Sequence, residues 1–210
     1  SRVSDLRHDH RISYISLFKN EGVLAGATQT HSHTQLIGLP IIPKAEKAWF
    51  QRSYEHYKST GKARLEDMLL QEEENAQGII AKQGVFTAFC PYASAYPFEV
   101  MISYQKAVGQ IDTLSEESIA ELSSLLQLIL KKLKGQLGYF DFNLFISASP
   151  LQEGSLEKDL LSCVDEALRF NIRIMPRIYR QGGFEVSTGI IINPVAPELA
   201  ARLLRENIDV

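Results

Sequence analysis

Two of the five histidines of this chain fall within one hexapeptide, His31-Ser32-His33-Thr34-Gln35-Leu36. On an extended strand alternate residues share a face, so His31, His33 and Gln35 point one way and Ser32, Thr34 and Leu36 the other. A neutral imidazole is a competent nucleophile near neutral pH, and a glutamine amide donates to a phosphoryl oxygen without adding charge. The pattern therefore offers covalent chemistry on a phosphoryl group. Two plainer readings use the same residues: half-exposed sheet histidines, or a metal-binding pair whose other ligands lie elsewhere. Just upstream, Asn20-Glu21-Gly22-Val23-Leu24-Ala25-Gly26-Ala27-Thr28 has small residues where a backbone can approach a phosphate, with Asn20 and Thr28 as further donors. A simple hairpin loop would use the same glycines.

The elements that must position these groups follow from pattern. Ile12–Phe18 is rich in β-formers and precedes a turn-like Lys19-Asn20-Glu21-Gly22, which predicts a strand and a reversal. A second strand is expected at Thr30–Leu39, ended by Pro40 and Pro43. From Lys44 to Ala76 good helix formers, broken at Thr60-Gly61, predict two helices. Strands are expected at Gly84–Ala93 and Pro97–Tyr104, as antiparallel neighbours. The clearest helix is Leu114–Lys134, where Ile119, Leu122, Leu125, Leu126, Ile129, Leu130 and Leu133 recur at helical spacing. Thr113 with Glu116 offers a capping box at its start, and Gly135 a C′ residue at its end. A strand at Phe140–Ser147, a helix at Leu156–Arg169, strands at Asn171–Met175 and Thr188–Asn193, and a helix after Pro197 complete the pattern. The order, with little βαβ regularity, predicts an α+β fold with a mainly antiparallel sheet.

Composition narrows the function classes. The 210 residues are 45% hydrophobic and 22% charged, enough for a substantial core. Against 25 acidic residues stand 22 Lys and Arg, a net charge of −3, so no excess of cations exists to bind a nucleic acid or an anionic membrane. Cys90 and Cys163 are too few and too far apart for a disulfide framework or a cysteine zinc site. No apolar run is long enough to span a bilayer, and the polar Ser1–Arg11 stretch is unlike a signal peptide, so a cytoplasmic protein is expected.

Phe18-Lys19-Asn20, Ala25-Gly26-Ala27, His31-Ser32-His33-Thr34-Gln35 and Leu39-Pro40 together resemble the active-site segment of the galactose-1-phosphate uridylyltransferases, within the histidine-triad superfamily. Pro91–Glu99 is similar to that family's aromatic, proline and glutamate segment. Gly182-Gly183-Phe184-Glu185, Thr188-Gly189 and Asn193-Pro194 are similar to its C-terminal substrate segment. The resemblance covers nearly the whole chain, but not the front third of the family, which carries much of its nucleoside pocket and two zinc-binding cysteines.

The resemblance implies a histidine-triad-like fold, here the second half of a duplicated architecture. Residues 1–43 would hold the active-site hairpin of the first half, 44–80 a helical connector and 81–210 the second half. It implies a nucleotidyltransferase: His33 attacks the α-phosphorus of a nucleoside diphosphate sugar, expels hexose 1-phosphate and carries the nucleoside monophosphate. Gln35 would bind the phosphoryl oxygens. Asn20, Gly26, Ala27, Thr28 and His31 would line the phosphate site, and Phe184, Glu185, Thr188 and Gly189 would meet the sugar phosphate, often across a homodimer interface. His31 matches a zinc ligand of the family, without its partners here. Phe170–Pro176 lacks the histidines of a second metal site found in some members, and Ser32 and Thr34 replace a common proline and glycine. Two alternatives stand beside this reading: an ADP-sugar or dinucleoside polyphosphate phosphorylase with inorganic phosphate as acceptor, and a non-catalytic or incomplete nucleotide-binding relative. Of the remaining candidates, His8, His10 and His56 read as surface residues and Glu72-Glu73-Glu74 as a solvated helix face. Arg173, Arg177 and Arg180 read as phosphate clamps or as the charges of an edge strand.

Overall fold

A computed structural model gives the architecture and describes residues 2–29, 31–106, 110–152 and 158–207. Seven strands form one antiparallel sheet: β1 Tyr14–Glu21, β2 Thr34–Leu39, β3 Ile79–Gln83, β4 Phe86–Phe89, β5 Val100–Tyr104, β6 Phe142–Ser147 and β7 Asn171–Pro176. Their order is β2-β1-β6-β7-β5-β4-β3, so the first hairpin continues the sheet of the rest of the chain. The helices are α1 Arg2–Arg7, α2 Lys44–Thr60, α3 Arg64–Asn75, α4 Glu116–Leu137, α5 Val164–Ala167, α6 Gly183–Thr188 and α7 Pro197–Glu206. The α+β, mainly antiparallel fold expected from the sequence is observed.

Register divides the sheet into two faces with different work. Leu36, Leu17, Ile146, Ile172, Ile102 and Ala88 lie along one row of paired positions. The central and far strands of this face pack against Leu122, Leu125, Ile129 and Leu133 of α4 and Ala200, Ala201 and Leu204 of α7, which forms the main core. The opposite face carries Gln35, Phe18, Phe145, Arg173, Met101 and Phe89 along an adjacent row. Helices α2 and α3 cover parts of it: Phe50 and Tyr54 pack with Tyr14, and Leu65 and Leu69 with Phe89 and Met101. Between these small clusters the second face stays polar.

Several boundaries differ from the sequence expectation for identifiable reasons. The turn expected at Lys19–Gly22 is strand as far as Glu21, because β6 pairs with β1 through Glu21↔Phe142. Of the strand expected at Thr30–Leu39, only Thr34–Leu39 forms, and Thr30 lies outside the described residues. Strand β3 is an addition to the expected pattern: its five residues hold only the short apolar run Ile79-Ile80-Ala81 before Lys82 and Gln83, too little for a strand signal. Helix α4 is capped by Ser115, whose Oγ accepts from Ser118 N at 3.2 Å, not by Thr113, which sits in a preceding 3₁₀ turn. It also runs past Gly135 to end at Gly138, at φ +71°. Gly135 serves packing instead: a Cβ there would stand 2.6 Å from the Asn207 side chain beyond α7.

The expected helix at Leu156–Arg169 is a 3₁₀ stretch, Lys158–Cys163, followed by the single turn of α5; its first residues fall outside those described. The strand expected at Thr188–Asn193 is absent. Glu185 Oε2 accepts from Gly182 N at 2.9 Å and Gly189 closes the last turn, so the segment begins as helix α6, and Ile190–Ile192 continue exposed with no paired strand. Arg173 lies on β7 in mid-sheet, which removes its edge-strand reading. The edges are β2 and β3; β3 carries Lys82, whereas β2 carries neither charge nor proline in its six residues.

Ile129 is fully enclosed between α4 and the sheet. Ile129→Ala is expected to lower stability by about 2–5 kcal/mol, read as a reduced midpoint in urea unfolding.

Candidate active site

The Asn20–Gln35 segment is built on the β1–β2 hairpin and braced by β6. Pairs run Leu17↔Leu36, Phe18↔Gln35 and Lys19↔Thr34, where the ladder ends. Opposed residues and residues two apart share a face, so Asn20 and Gln35 both lie on the polar face, and His33 directly precedes the ladder's last residue on β2. His31 and His33 themselves precede β2 and lie in the loop leading into it, a correction to their expected place within the strand. What holds His33 is a hydrogen bond rather than strand pleating. Its Nδ1 lies 2.8 Å from the backbone oxygen of His31. A carbonyl only accepts, so Nδ1 carries a proton, and in the neutral ring the lone pair is on Nε2, which has no hydrogen-bond partner among the described residues. The ring is half-buried while His31 is exposed.

Asn20 is oriented by a relay of amides. Arg177 can only donate, and its Nε bonds Asn143 Oδ1. Asn143 Nδ2 is thereby turned to Asn20 Oδ1 at 2.8 Å and to Ala25 O at 2.9 Å. With its oxygen engaged, Asn20 presents its NH₂ as a donor with no partner among the described residues. The Arg177 guanidinium rests on the Tyr96 ring at 4.3 Å, which fixes the start of the relay.

The turn between the strands is clamped from the opposite side. Asp141 Oδ2 accepts from Leu24 N at 2.6 Å, and Asp141 O from Arg177 N at 2.7 Å. Gly22 adopts φ +84°, and a Cβ on it would lie 2.0 Å from Asp141 Oδ1. Gly26 is also left-handed, at φ +78°, but faces open space, as the close approach of a ligand requires. Ala27 is half-buried, and Thr28 is exposed. Beside the site Lys19 bonds Glu21 at 2.8 Å and also bonds Ser32. The Lys19 hydrogen bond holds the Glu21 carboxyl below its usual range.

The C-terminal candidates lie apart from this cluster. Phe184, Glu185, Thr188 and Gly189 belong to α6, where Glu185 caps Gly182 N and Thr188 Oγ1 donates to Phe184 O. No hydrogen bond joins α6 to Asn20–Gln35 among the described residues. The flanks of α6 do reach the relay: Tyr179 Oη donates to Ile192 O, and Asn193 Nδ2 donates to the backbone oxygens of Ser94 and Tyr96. Glu99 is fully buried and accepts from the Ala95 and Tyr96 amides and from Arg173. Asn143 and Asp141 were missed by sequence reasoning, because a lone Asn in a strand and a lone Asp before one carry no local signal. His56, read as a surface residue, joins α2 to α3 through Asp67 at 2.7 Å.

A zinc ion finds no ready set of ligands: among the described residues no group of three or more His, Cys, Asp or Glu is placed to hold a metal. Nor is any described helix long and apolar enough to cross a membrane.

No known protein-family model matches the chain. Individual relatives do. A curated ADP-glucose phosphorylase of Arabidopsis thaliana is 31% identical over 205 residues, covering 98% of this chain and 55% of that protein. A galactose-1-phosphate uridylyltransferase of Thermotoga maritima is 26% identical over 212 residues, covering 98% and 64%. Among solved structures, an Arabidopsis thaliana ADP-glucose phosphorylase with bound ADP-glucose superposes at TM-score 0.85 with 30% identity, over 98% of this chain and 63% of that one. A uridylyltransferase structure at 22% identity and TM-score 0.86 shares the fold. The chain thus spans between half and two thirds of the length of these relatives.

Gly22→Ala combines a left-handed backbone with a collision against Asp141, whereas Gly26→Ala meets the backbone cost alone. Gly22→Ala is expected to destabilise by about 1–3 kcal/mol and Gly26→Ala by about 1, compared by thermal unfolding of both variants.

Proposed function

We propose that this chain, a relative of the galactose-1-phosphate uridylyltransferases over nearly its whole length, carries the catalytic histidine of a nucleotidyl transfer between a nucleoside diphosphate sugar and a sugar phosphate. The observation that carries the reading is the His33 ring, with Nδ1 on the His31 carbonyl and Nε2 without a hydrogen-bond partner among the described residues, two residues before Gln35.

In the first step Nε2 attacks the α-phosphorus in line, forming a P–N bond as the bond to the bridging oxygen breaks and hexose 1-phosphate leaves with that electron pair. The ring becomes cationic and keeps its Nδ1 proton, which the His31 carbonyl stabilises. Gln35 and the NH₂ of Asn20 donate to the non-bridging oxygens, where charge concentrates in the transition state. In the second step an acceptor phosphate oxygen attacks the same phosphorus and frees His33. Gly26, Ala27 and Thr28 leave room for the phosphates, and Glu185 with its neighbours meets the sugar from a second subunit. Phe184, Val186 and Ile190, exposed on and beside α6, support such a homodimer. The cytoplasm is the compartment that fits two unpaired cysteines.

The similarity to an ADP-glucose phosphorylase favours a second reading in which inorganic phosphate is the acceptor of the same covalent intermediate.

Incubation with UDP- and ADP-sugars should add one nucleoside monophosphate to the intact mass of the wild-type protein and none to His33→Asn. A fully active His33→Ala protein overturns the assignment. Chasing the adduct with hexose 1-phosphate or with inorganic phosphate separates transferase from phosphorylase. Asn143→Ala, which frees the Asn20 amide to rotate, should slow adduct formation about tenfold, measured by quenched-flow mass spectrometry.

A further inference from the structure

Two cavities on the polar face lie away from His33 and are neighbours, with Trp49, Met101 and Arg173 lining both. The smaller, of about 230 Å³, lies between the start of α2 and β6–β7; the larger, of about 740 Å³, lies between α3 and the Pro91–Ala93 loop. Arg173 shares its row with Gln35 but is separated from it by β1 and β6, a distance of about 14 Å at ordinary strand spacing. The cavities are therefore a separate place from the candidate active site.

Their walls are chemically two-ended. At one end Arg52 and Arg64 flank Trp49, and the Arg64 guanidinium stacks on the indole at 4.8 Å. Among the described residues neither arginine has an ion-pair or hydrogen-bond partner, although Arg173 beside them is matched by Glu99. Burial and the nearby Arg52 charge hold the Arg64 guanidinium below its ordinary value, the sign of cations gathered without a counter-charge. Guanidinium groups bind phosphate oxygens in planar, two-pronged fashion. The other end is neutral to acidic: Gln71, Asn75, Gln77, Glu72 and Glu198. Burial pushes the Glu72 carboxyl up, with the Glu198 charge adding to it, against the hydrogen bond from the Tyr92 backbone. Amides and carboxyls of this kind suit hydroxyl groups, and Tyr92 adds an exposed aromatic face.

We infer that the larger cavity, with the rim it shares with the smaller one at Trp49, forms a second binding site for a phosphorylated sugar, with its phosphate on Arg52 and Arg64 beside Trp49 and its hydroxyls at Glu72 and the neighbouring amides.

Trp49 is the single tryptophan of the chain, so its emission reports on this site alone. Titration of glucose 6-phosphate into the full chain should give a saturable fluorescence change, with the affinity confirmed by calorimetry. This probe has no phosphate on its anomeric carbon and so cannot stand in for hexose 1-phosphate as acceptor. Arg52→Gln, at an exposed and unbonded position where the fold is indifferent, should weaken binding several-fold, and Arg52→Gln with Arg64→Gln at least tenfold. Glu72→Gln should weaken the sugar phosphate while leaving inorganic phosphate unaffected, and His33→Asn should change neither. Absence of saturable binding, or an affinity untouched by Arg52→Gln, overturns the site. Loss of binding in His33→Asn overturns it by placing the ligand at the candidate active site, and inorganic phosphate binding as tightly as glucose 6-phosphate overturns the sugar end.

Discussion

The antiparallel pairing of β1 with β6 is the contact on which the rest of the structure depends. It joins the first 43 residues to the sheet formed by the remainder, through five register pairs from Leu17↔Ile146 to Glu21↔Phe142. The same pairing sets Asn143 opposite Asn20, so that an amide can cross from one strand to the other, and it brings Asp141 beneath the Gly22 turn. A slip of one residue would turn every side chain of β1 to the opposite face and place Asn20 over the apolar core. Strand register is therefore also a constraint on the candidate site.

The sheet separates stability from chemistry by face. Its apolar side is sealed by α4 and α7, where the periodicity of Leu122, Leu125, Ile129 and Leu133 is strict. Its polar side is roofed only in patches by α2 and α3, which leaves the hairpin cluster and the arginine-lined cavities open. Because each strand alternates between the two environments, one short sequence such as Phe142–Ser147 contributes Leu144 and Ile146 to the core and Asn143 and Phe145 to the working surface.

Local signals made much of this legible in the sequence. The α4 stripe, the Thr60-Gly61 break and the Pro197 start of α7 are all local, and each corresponds to an observed feature; the His31–Gln35 motif is local too, but only Thr34 and Gln35 of it fall on the expected strand. The Gln35 and Asn20 grouping was half visible: alternation placed the strand residues, but the loop position of His33 follows from its bond to the His31 carbonyl, which pattern does not encode. Cross-strand partners were invisible for a simple reason. Asn143 lies 123 positions from Asn20 and Arg177 a further 34 from Asn143, so their roles come from tertiary register. The failed strand at Thr188–Asn193 shows the reverse: the β-branched run Ile190–Ile192 has strand propensity but no strand to pair with, and Glu185 capping commits the preceding turn to helix.

Strand β2 closes one side of the sheet with backbone alone. Thr34-Gln35-Leu36-Ile37-Gly38-Leu39 offers an outward row of amides and carbonyls with no lysine, proline or bulge to discourage a visiting strand, and Ile37 is substantially exposed. Gln35 of the candidate site lies within this same row. Whatever extended segment settles against that border would change the solvation and stiffness of the strand that His33 leads into, so colloidal behaviour and the state of the candidate site are physically linked in this molecule.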